Sequence, residues 1–556
     1  MKKIYTLIFI SFCTGFVAYG QLKESTAIDK IFTEWNKPNV PGGALGIIRD
    51  GKLIYSKGYG IADLEHNISI TPTSVFYIGS VSKQFVTFSI LLLEEQGKLN
   101  LDDKIQEFLP DFPEYKTPLT IRHFIHHTSG IRDFLTLMHL KGRDYLDHIE
   151  NDEVYELIKS QNTLNFSPGE QYLYSNSCYF MLAMIVEKAA KKSLKDFAEE
   201  HIFSPLGMKN SLFYDDNTDL IKNRVFSYNK KEDGFDNLIM RFDLVGSGGI
   251  YSTIEDMFLW DQNFYQNKLG KGGQQIIQKM HEEGVLNNGK SSGYAFALKN
   301  GTHKGLKTVS HGGSLAGYRA QLMRFPEQKF SIIILSNRSD ASPTSKAYQV
   351  ADIFLKNEFK QNQEINQKSN LSNKKAIKLS TKKLEFFSGS YWNNKNNSAI
   401  KIVVKNDTLT YSRNNYSETK LFPISKNEFI AKETSDVILK FKTTNEGKQV
   451  LIIINGNSKI KYISYKPASY SLEELKSFIG LYYSPELDVV YNLKMENKNI
   501  ILYVNRRKTS VLKAIKDNVF SNDNFGVFLF ERNNDGKINA FKLMAGRVKN
   551  LKFIKQ

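Results

Sequence analysis

A polar stretch divides this 556-residue chain into two parts with different sequence patterns. It runs from about residue 357 to residue 382, is rich in Gln, Asn, Lys and Ser, and contains Phe359 as its only aromatic residue. A segment of this composition buries too little apolar surface to fold by itself and is typical of a linker. We therefore expect at least one independent domain on each side of it.

The part before the linker mixes strand and helix patterns. Residues 43–55 predict a hairpin through an Asp-Gly turn, and Tyr318–Phe325 with Phe330–Ser336 predict another. Long apolar helical patterns cover Ser80–Gln96 and Ser177–Ala190. Strands near both ends with helices between them predict an α+β domain over residues 21–356, in which the terminal strands share one antiparallel sheet flanked by helices.

The part after the linker, residues 383–556, predicts an all-β region that contains a duplication. Three segments recur in the same order at a spacing of about ninety residues, which indicates repeats over about 383–468 and 474–556. The matched pairs are Phe387–Trp392 with Phe478–Tyr483, Asn427–Phe429 with Asn518–Phe520, and Phe441–Lys448 with Phe530–Lys537. Two half-units of about four strands each would close into one barrel of about eight strands, with two separate small sheets as the alternative.

Residues 1–20 have the pattern of a signal peptide. Two lysines precede the apolar run Ile4–Val17, and small residues follow at the spacing that a signal peptidase recognises. The run is short for a membrane span, so we expect an exported chain that begins at Gln21 in the periplasm or outside the cell, without a transmembrane segment. A lipid anchor on Cys13 is the alternative, although the bulky residue before it is unfavourable for that signal.

Composition limits the function classes further. After removal of residues 1–20, Cys178 is the only cysteine, so a disulfide within the chain is excluded, and its apolar surroundings predict a buried side chain. Lys and Arg number 75 against 58 Asp and Glu, a net charge of +17. The lysines are scattered and no arginine-aromatic pattern accompanies them, so we expect no specific nucleic-acid binding.

The stretch GSVSKQF, residues 79–85, places a hydroxyl and an amine three residues apart. On a helix Ser80 and Lys83 would share a face and touch. Helix stability does not need such a pair, whereas a serine needs a neighbouring base to become a nucleophile. The spacing alone also occurs by chance, so partners elsewhere in the chain decide its meaning.

Candidate partners lie in two later stretches. Tyr174 and Asn176 are two apart in a short extended segment and point the same way. A phenol near Lys83 would have its pKa lowered by the cation and could take the Ser80 proton, while Asn176 would hold Lys83 through its carbonyl oxygen. In a second stretch, small residues follow His311, which would let a substrate lie against a strand there.

That second stretch is His311-Gly312-Gly313-Ser314. The backbone N–H groups of Ser314 and Ser80 would converge on one substrate oxygen, an arrangement that stabilises a transition-state oxyanion by about 2.7 to 4 kcal/mol per donor. A glycine-rich turn with a solvated histidine is the alternative interpretation of the stretch.

The three motifs, in this order, resemble the S-x-x-K, Y-x-N and K-T-G/H-x-G motifs of class C β-lactamases and related penicillin-binding serine hydrolases. The resemblance extends over about residues 25–355, and the repeated region resembles the lipocalin-like C-terminal domains of some members. Accessory stretches also look similar: His126–Ile131, Ser167–Asn176, Ile202–Met208 and Gly246–Thr253.

The resemblance implies a role for each residue of the motifs. Ser80 would be the acylated nucleophile, Lys83 and Tyr174 the proton-transfer pair, and Asn176 their orienting residue. His311 stands where the family often has lysine, and a histidine is mostly neutral above about pH 6.5. This departure disfavours carboxylate-dependent β-lactam or D-Ala-D-Ala substrates and favours esterase or aminopeptidase-like activity, unless Arg319 or Arg324 restores an anion site.

Two other patterns imitate functional motifs. Residues 289–293, GKSSG, match the nucleophile elbow G-x-S-x-G, but a turn precedes them and a strand follows, where the elbow requires a strand and then a helix. His123, His126 and His127 suggest a metal site but have no obvious carboxylate or cysteine partner, so we expect a structural role and no metal.

The sequence therefore predicts an exported serine hydrolase that forms an acyl-enzyme on an ester or amide, such as an esterase, a D-aminopeptidase or a peptidoglycan-peptide or β-lactam hydrolase. We expect no cofactor and a small-molecule or peptide substrate, which could derive from the cell envelope. The alternative is a catalytically weak protein that keeps the fold and binds envelope peptides or glycans. The oligomeric state does not follow from the sequence.

Overall fold

The computed structural model describes residues 23–359, 377–412, 418–431, 434–455 and 458–556. The predicted signal peptide and most of the predicted linker lie outside these residues. Within them, no helix combines the length and the apolar character needed to cross a membrane.

The first part contains short helices and strands in alternation. Its helices are α1 (Ser25–Ile31), α2 (Lys83–Glu95), α3 (Ile121–Ile125), α4 (Phe134–Leu140), α5 (Asn151–Lys159), α6 (Asn176–Ala190), α7 (Leu194–Ala198), α8 (Ser204–Leu206), α9 (Ile254–Asn263), α10 (Gln274–Met280) and α11 (Pro343–Phe354). Its strands are β1 (Gly43–Arg49), β2 (Lys52–Tyr59), β3 (Ile61–Asp63), β4 (Ile68–Ser69), β5 (Phe76–Tyr77), β6 (Leu212–Phe213), β7 (Tyr228–Lys230), β8 (Phe235–Asn237), β9 (Ile250–Ser252), β10 (Lys299–His303), β11 (Leu306–Leu315), β12 (Tyr318–Phe325) and β13 (Phe330–Ser336).

Six of these strands form the main sheet, in the order β10-β11-β12-β13-β1-β2. Every neighbouring pair is antiparallel, and β1 pairs with β13 from Gly43 opposite Ser336 to Arg49 opposite Phe330. The Asp-Gly turn between β1 and β2 has φ values of 49° and 76°, the left-handed pair that suits a tight hairpin. Both predicted hairpins and the joining of the terminal strands in one sheet are confirmed.

Helices cover both faces of this sheet, which explains why β13 is apolar at nearly every position. Ile332 and Ile334 pack into the core that contains residues of α11 and the end of α1. Ile333 and Leu335 point the other way, into the core that contains α2, α6 and α9. The period-two alternation of a strand thus serves two cores at once.

The second part forms two closed antiparallel barrels of eight strands each. The first contains β14 (Gly389–Asn393), β15 (Ser398–Lys405), β16 (Thr408–Ser412), β17 (Glu418–Pro423), β18 (Glu428–Ala431), β19 (Thr434–Thr443), β20 (Gln449–Asn455) and β21 (Ser458–Tyr465). The second contains β22 (Gly480–Ser484), β23 (Val489–Glu496), β24 (Asn499–Val504), β25 (Arg507–Lys516), β26 (Val519–Asn522), β27 (Gly526–Arg532), β28 (Ile538–Ala545) and β29 (Val548–Lys555). A short helix precedes each barrel, Thr381–Glu385 and Leu472–Lys476.

The duplication is confirmed, but the expectation of one barrel built from two four-stranded halves is wrong. Each repeat supplies eight short strands, which suffice to close a barrel by themselves. Equivalent contacts recur in the two barrels: the Tyr391 hydroxyl donates to the Phe387 carbonyl and the Tyr482 hydroxyl donates to the Phe478 carbonyl, both at 2.8 Å. These buried aromatic side chains belong to the cores of their barrels, whose interiors are packed with side chains.

The second barrel docks on the first part of the chain, and the two share one continuous apolar core, whereas the first barrel has a core of its own. Arg132 and Glu486 form an ion pair of 3.1 Å across this junction, with side chains that are 0% and 8% exposed. Glu486 also accepts the backbone N–H groups of Asn162 at 2.7 Å and Thr163 at 3.1 Å. The Tyr491 hydroxyl adds a hydrogen bond of 2.8 Å to the carbonyl of the last residue of α4.

Glu486→Ala should destabilise the protein strongly, because it leaves the buried Arg132 guanidinium without its anionic partner. Breaking a buried pair in this way typically costs about 3–5 kcal/mol. We expect a clearly lower denaturant midpoint for the full chain, followed by tryptophan fluorescence. Glu473→Ala is the matched control, because Glu473 pairs with Lys476 on the exposed surface of the same unit, where a pair contributes about 0–1 kcal/mol. Equal midpoints for the two variants would contradict the importance of the buried pair.

Candidate active site

Ser80 and Lys83 meet at the junction of two kinds of helix. Residues 79–82 form a 3-10 turn, and α2 begins at Lys83. Side chains at i and i+3 eclipse each other in a 3-10 turn, and the Lys83 Nζ lies 3.1 Å from the Ser80 Oγ. The sequence predicted the contact on a helix that begins at Ser80, whereas the regular helix begins three residues later.

The Lys83 amine lies in a fully buried position below Ser80. Besides Ser80 it contacts the Asn176 Oδ1 at 2.9 Å and the Ser247 carbonyl oxygen. Burial, and then the repulsion of Arg547, lower the Lys83 pKa far below its ordinary range. A neutral amine has two N–H donors and one lone pair, so it can donate to the two fixed acceptors and keep its lone pair for the Ser80 hydroxyl.

Asp133 holds Asn176 in the orientation that this contact requires. One oxygen of Asp133 accepts both the backbone N–H of Asn176 at 2.7 Å and its side-chain Nδ2 at 2.9 Å. The amide oxygen of Asn176 therefore faces Lys83. Asp133 is 1% exposed and also caps α4 by accepting the backbone N–H of Thr136 at 3.1 Å. The sequence analysis missed this residue, although an aspartate directly before an apolar helical run is an N-cap signal.

Tyr174 lies two residues before the start of α6, and its ring centroid is 5.0 Å from the Lys83 Nζ. Its hydroxyl is buried and, within the described part of the chain, makes no hydrogen bond of good geometry. Burial raises the pKa of this phenol, and the Ser80 hydroxyl close to it opposes that effect only partly. The expectation that Lys83 lowers the Tyr174 pKa is therefore wrong, because the cost of burying a phenolate outweighs the opposing effects of the Ser80 hydroxyl and of the Arg547 cation.

Strand β11 approaches the Ser80 turn so closely that only glycine fits at two positions. A Cβ on Gly313 would lie 1.9 Å from the Ile78 carbonyl oxygen and 3.1 Å from the Ser80 nitrogen. A Cβ on Gly79, where φ is 56°, would lie 2.7 Å from the Ser314 nitrogen. The backbone nitrogen of Ser80 therefore lies on the turn and that of Ser314 on β11, at the place where these two elements touch. Strand β10 pairs only with residues 306–310 of β11, which leaves the edge at 311–315 to this approach.

His311 is held as a neutral imidazole. Its Nδ1 donates to the Gly312 carbonyl at 2.7 Å, so its Nε2 accepts from the Tyr294 hydroxyl at 2.9 Å. Burial, and then repulsion from Lys83, lower the His311 pKa to about 3. The position therefore provides no cation for a substrate, as the replacement of lysine by histidine predicted.

These residues open onto a cleft of about 960 Å³. Its wall includes every predicted site residue except Lys83, which lies beneath it: Ser80, Tyr174, Asn176, His311, Gly312, Gly313 and Ser314. It also includes Arg547, from the turn between β28 and β29 of the second barrel. No sequence signal marked Arg547, because only the docking of the barrel brings it near Ser80.

The two arginines considered from the sequence do not supply a free cation. Arg324 is buried in an ion pair of 2.7 Å with Asp261, below the ring of Phe264. Arg319 lines the cleft, but its Nη1 donates to the carbonyls of Ala316 at 2.8 Å and Tyr318 at 2.7 Å.

The remaining candidates have structural partners. Cys178 is a buried free thiol that contacts the Ser129 hydroxyl at 3.2 Å, and burial raises its pKa to about 12. Ser291 of the GKSSG stretch lies in an exposed turn and bonds to Glu283. The Nδ1 atoms of His123 and His126 contact Thr120 and the Tyr294 carbonyl respectively.

Comparisons with known proteins support the fold of the first part of the chain. A model of the Beta-lactamase family matches residues 28–354. Penicillin-binding protein 4* of Bacillus subtilis (strain 168) is 28% identical over 439 residues, which are 75% of this chain and 93% of that protein. A D-aminopeptidase of Brucella anthropi is 29% identical over 316 residues, 57% of this chain and 59% of that protein.

Two solved structures show the same fold. The octameric penicillin-binding protein homologue from Pyrococcus abyssi has a TM-score of 0.55 at 20% identity and covers 87% of this chain and 98% of its own. The D-amino acid amidase from Ochrobactrum anthropi SV3 has a TM-score of 0.52 at 19% identity and covers 60% of this chain and 99% of its own. The resemblance seen in the three sequence motifs is confirmed.

Gly313→Ala should lower the predicted reactivity of Ser80 without touching any of its side-chain partners, because the new methyl group would push β11 away from the Ser80 turn. Loss of one backbone donor of this kind typically costs a factor of about 10²–10³. We expect Ser80 labelling by a fluorophosphonate probe to slow by about 100-fold. Gly301→Ala on β10 is the control, because its Cβ would meet only the Thr308 hydroxyl at 3.0 Å. Unchanged labelling of Gly313→Ala would contradict the oxyanion role of this approach.

Proposed function

This chain belongs to the Beta-lactamase family, and from that membership we propose that it is an exported serine hydrolase that cleaves esters or amides through an acyl-enzyme. The nucleophile would be Ser80, with Lys83 and Tyr174 as the proton-transfer pair and Asn176 as their orienting residue. His311, Gly312, Gly313 and Ser314 would form the strand against which the substrate lies. The proposal divides the chain into a signal peptide (1–20), a hydrolase domain (21–356), a linker (357–382) and a C-terminal domain (383–556).

The observation that carries the proposal is the contact of 3.1 Å between the Ser80 hydroxyl and a buried amine. A lysine kept only for structure would place its ammonium where water or a carboxylate can stabilise the charge. Here the acceptors are an amide and a backbone carbonyl, both uncharged. This environment favours the neutral amine, which is the protonation state that a general base needs.

The proposed reaction begins when Ser80 attacks the substrate carbonyl carbon and its proton passes to the Lys83 amine. The oxyanion that forms would accept hydrogen bonds from the backbone N–H groups of Ser80 and Ser314. Tyr174 is a protonated phenol and can donate its proton to the leaving alcohol or amine, while Lys83 returns a proton to it. Water would then attack the acyl-Ser80 ester with the same pair acting in reverse. No step of this scheme uses a metal or a cofactor.

The scissile bond can be an ester or an amide. The relatives include a D-aminopeptidase, which is consistent with cleavage of an amide bond. The neutral His311 supports esters and amino-acid amides over substrates that rely on a cation at this strand position. The intact set of four side chains supports catalysis over the alternative of a binding protein. A hydrolysis screen with esters, D-amino acid amides, D-Ala-D-Ala peptides and a chromogenic cephalosporin tests the range directly.

Substitutions in the proton-transfer pair should slow turnover of p-nitrophenyl esters. We expect Ser80→Ala to remove it, and Lys83→Ala and Tyr174→Phe each to lower kcat by about 100-fold or more, because general acid-base groups contribute about 10²–10⁴. Lys188→Ala and Tyr145→Phe are controls that remove the same groups from the last turn of α6 and from an exposed site. Rates that stay unchanged in Lys83→Ala or Tyr174→Phe would refute the assignment of the pair.

The pH profile of kcat/KM for a neutral ester should report Lys83. Below its pKa the amine is protonated and cannot accept the Ser80 proton, so activity is lost as the pH falls through that value. Because burial lowers this pKa, we expect the profile to reach its plateau far below the ordinary pKa range of lysine. A rate that keeps rising through that ordinary range would show that the Lys83 pKa is not lowered, and would contradict the neutral amine on which the proposal rests.

A further inference from the structure

The second barrel contributes one side chain to the wall of the cleft. Arg547 lies in the turn between β28 and β29 and lines the cleft together with Ser80 and Tyr174. Its guanidinium carbon is 4.7 Å from the centroid of the Tyr174 ring. A residue more than 230 positions after Ser314 thus reaches the site where acylation is proposed to occur.

The turn that carries Arg547 is fixed to the first part of the chain by its backbone. The Asn165 side chain donates to the Arg547 carbonyl at 2.9 Å and accepts the Lys549 backbone N–H at 2.7 Å. The Lys549 carbonyl in turn accepts two bonds of 3.2 Å from the buried Arg132. None of these bonds uses the Arg547 side chain, so its substitution leaves the docking contacts of the turn in place.

The Arg547 guanidinium has most of its donors unused among the described residues. Its one hydrogen bond runs from Nη1 to Asp133 at 3.4 Å, which is long for a charged pair. That oxygen of Asp133 already accepts two shorter bonds from Asn176, and its other oxygen accepts from Thr136. The Arg547 side chain is 42% exposed and the residue lines the cleft, so a ligand there can reach it.

Other cations around the cleft are less suited to recognise a ligand. His311 is neutral, Lys83 is buried below the floor, and the Nη1 of Arg319 is occupied by backbone carbonyls. Lys299 lies on the exposed strand β10 at the rim, where water solvates it. An arginine offers a planar fork that matches a carboxylate with two parallel hydrogen bonds.

We propose that Arg547 is a specificity-determining residue that binds a carboxylate of the substrate, so that this enzyme prefers esters or amides carrying an anionic group. The inference rests on the proposed function, because it concerns the same cleft and the same acyl transfer. The cation that the strand position lacks is supplied from the second barrel instead.

A matched pair of esters tests the proposal with the full mature chain. Mono-4-nitrophenyl glutarate carries a free carboxylate at neutral pH, and 4-nitrophenyl valerate is a neutral ester of similar length. We expect Arg547→Gln to lower kcat/KM for the anionic ester by about 10- to 100-fold more than for the neutral ester, as expected for loss of a charge-assisted pair. Arg547→Lys keeps the charge without the fork and should give an intermediate loss.

Lys549→Gln is the matched control, because it removes a cation from the same hairpin but does not line the cleft. It should leave the ratio of the two rates unchanged. If Arg547→Gln lowers both rates equally, or neither, the carboxylate role is overturned while the hydrolase proposal stands, provided that both rates still depend on Ser80. If the unmodified chain cleaves neither these esters nor the substrates of the wider screen, the proposed function itself fails. Thermal melting of each variant identifies misfolding, and Arg547→Lys decides the question if Arg547→Gln does not fold.

Discussion

The desolvated amine of Lys83 is the constraint on which the rest of the site depends. An ammonium in that position would have no anion in direct contact, and the nearest carboxylate, Asp133, acts through Asn176. The surrounding structure therefore has to supply two neutral acceptors at fixed positions and an alcohol in line with the lone pair. The start of α2 at Lys83 and the orientation of Asn176 by Asp133 both meet that requirement.

The same requirement links distant parts of the chain. Asp133, the N-cap residue of α4, orients the Asn176 amide that contacts Lys83. Helix α4 then ends against the second barrel, where the Tyr491 hydroxyl donates a hydrogen bond to its last carbonyl. The buried pair between Arg132 and Glu486 lies beside this contact. The second barrel is therefore part of the support of the active site. The first barrel stands apart in its own core and contacts the second barrel through Lys516, which lies over the ring of Trp392.

Local patterns predicted much of this structure. The Asp-Gly hairpin, the β12–β13 hairpin and the two long helices each have a physical cause within a few residues. The need for glycine at the close approach of β11 to the Ser80 turn was not predicted, because this contact joins residues that are far apart in the chain. Tyr174, Asn176 and His311 were identified because three motifs in order resemble one family. The number of strands in each repeat was predicted as about four and is eight, because short strands joined by tight turns resemble fewer, longer strands in the sequence. The raised pKa of Tyr174 was missed because it depends on burial, and Arg547 was missed because it depends on docking between domains. Neither the burial of a side chain nor the docking of two domains follows from the spacing of residues along the chain.

The turn between β28 and β29 has a different tolerance to change from the groups it faces. The backbone of this turn is fixed by Asn165, so an insertion would disturb the docking of the barrel, whereas the Arg547 side chain takes no part in those bonds and can be replaced. Ser80 and Ser314, which are proposed to act in acyl transfer, lie on elements whose backbones touch, and a single methyl group would displace them. The side chain at position 547 can thus vary, and with it the proposed substrate preference, while the backbone of the hairpin and the close contact around Ser80 stay as they are.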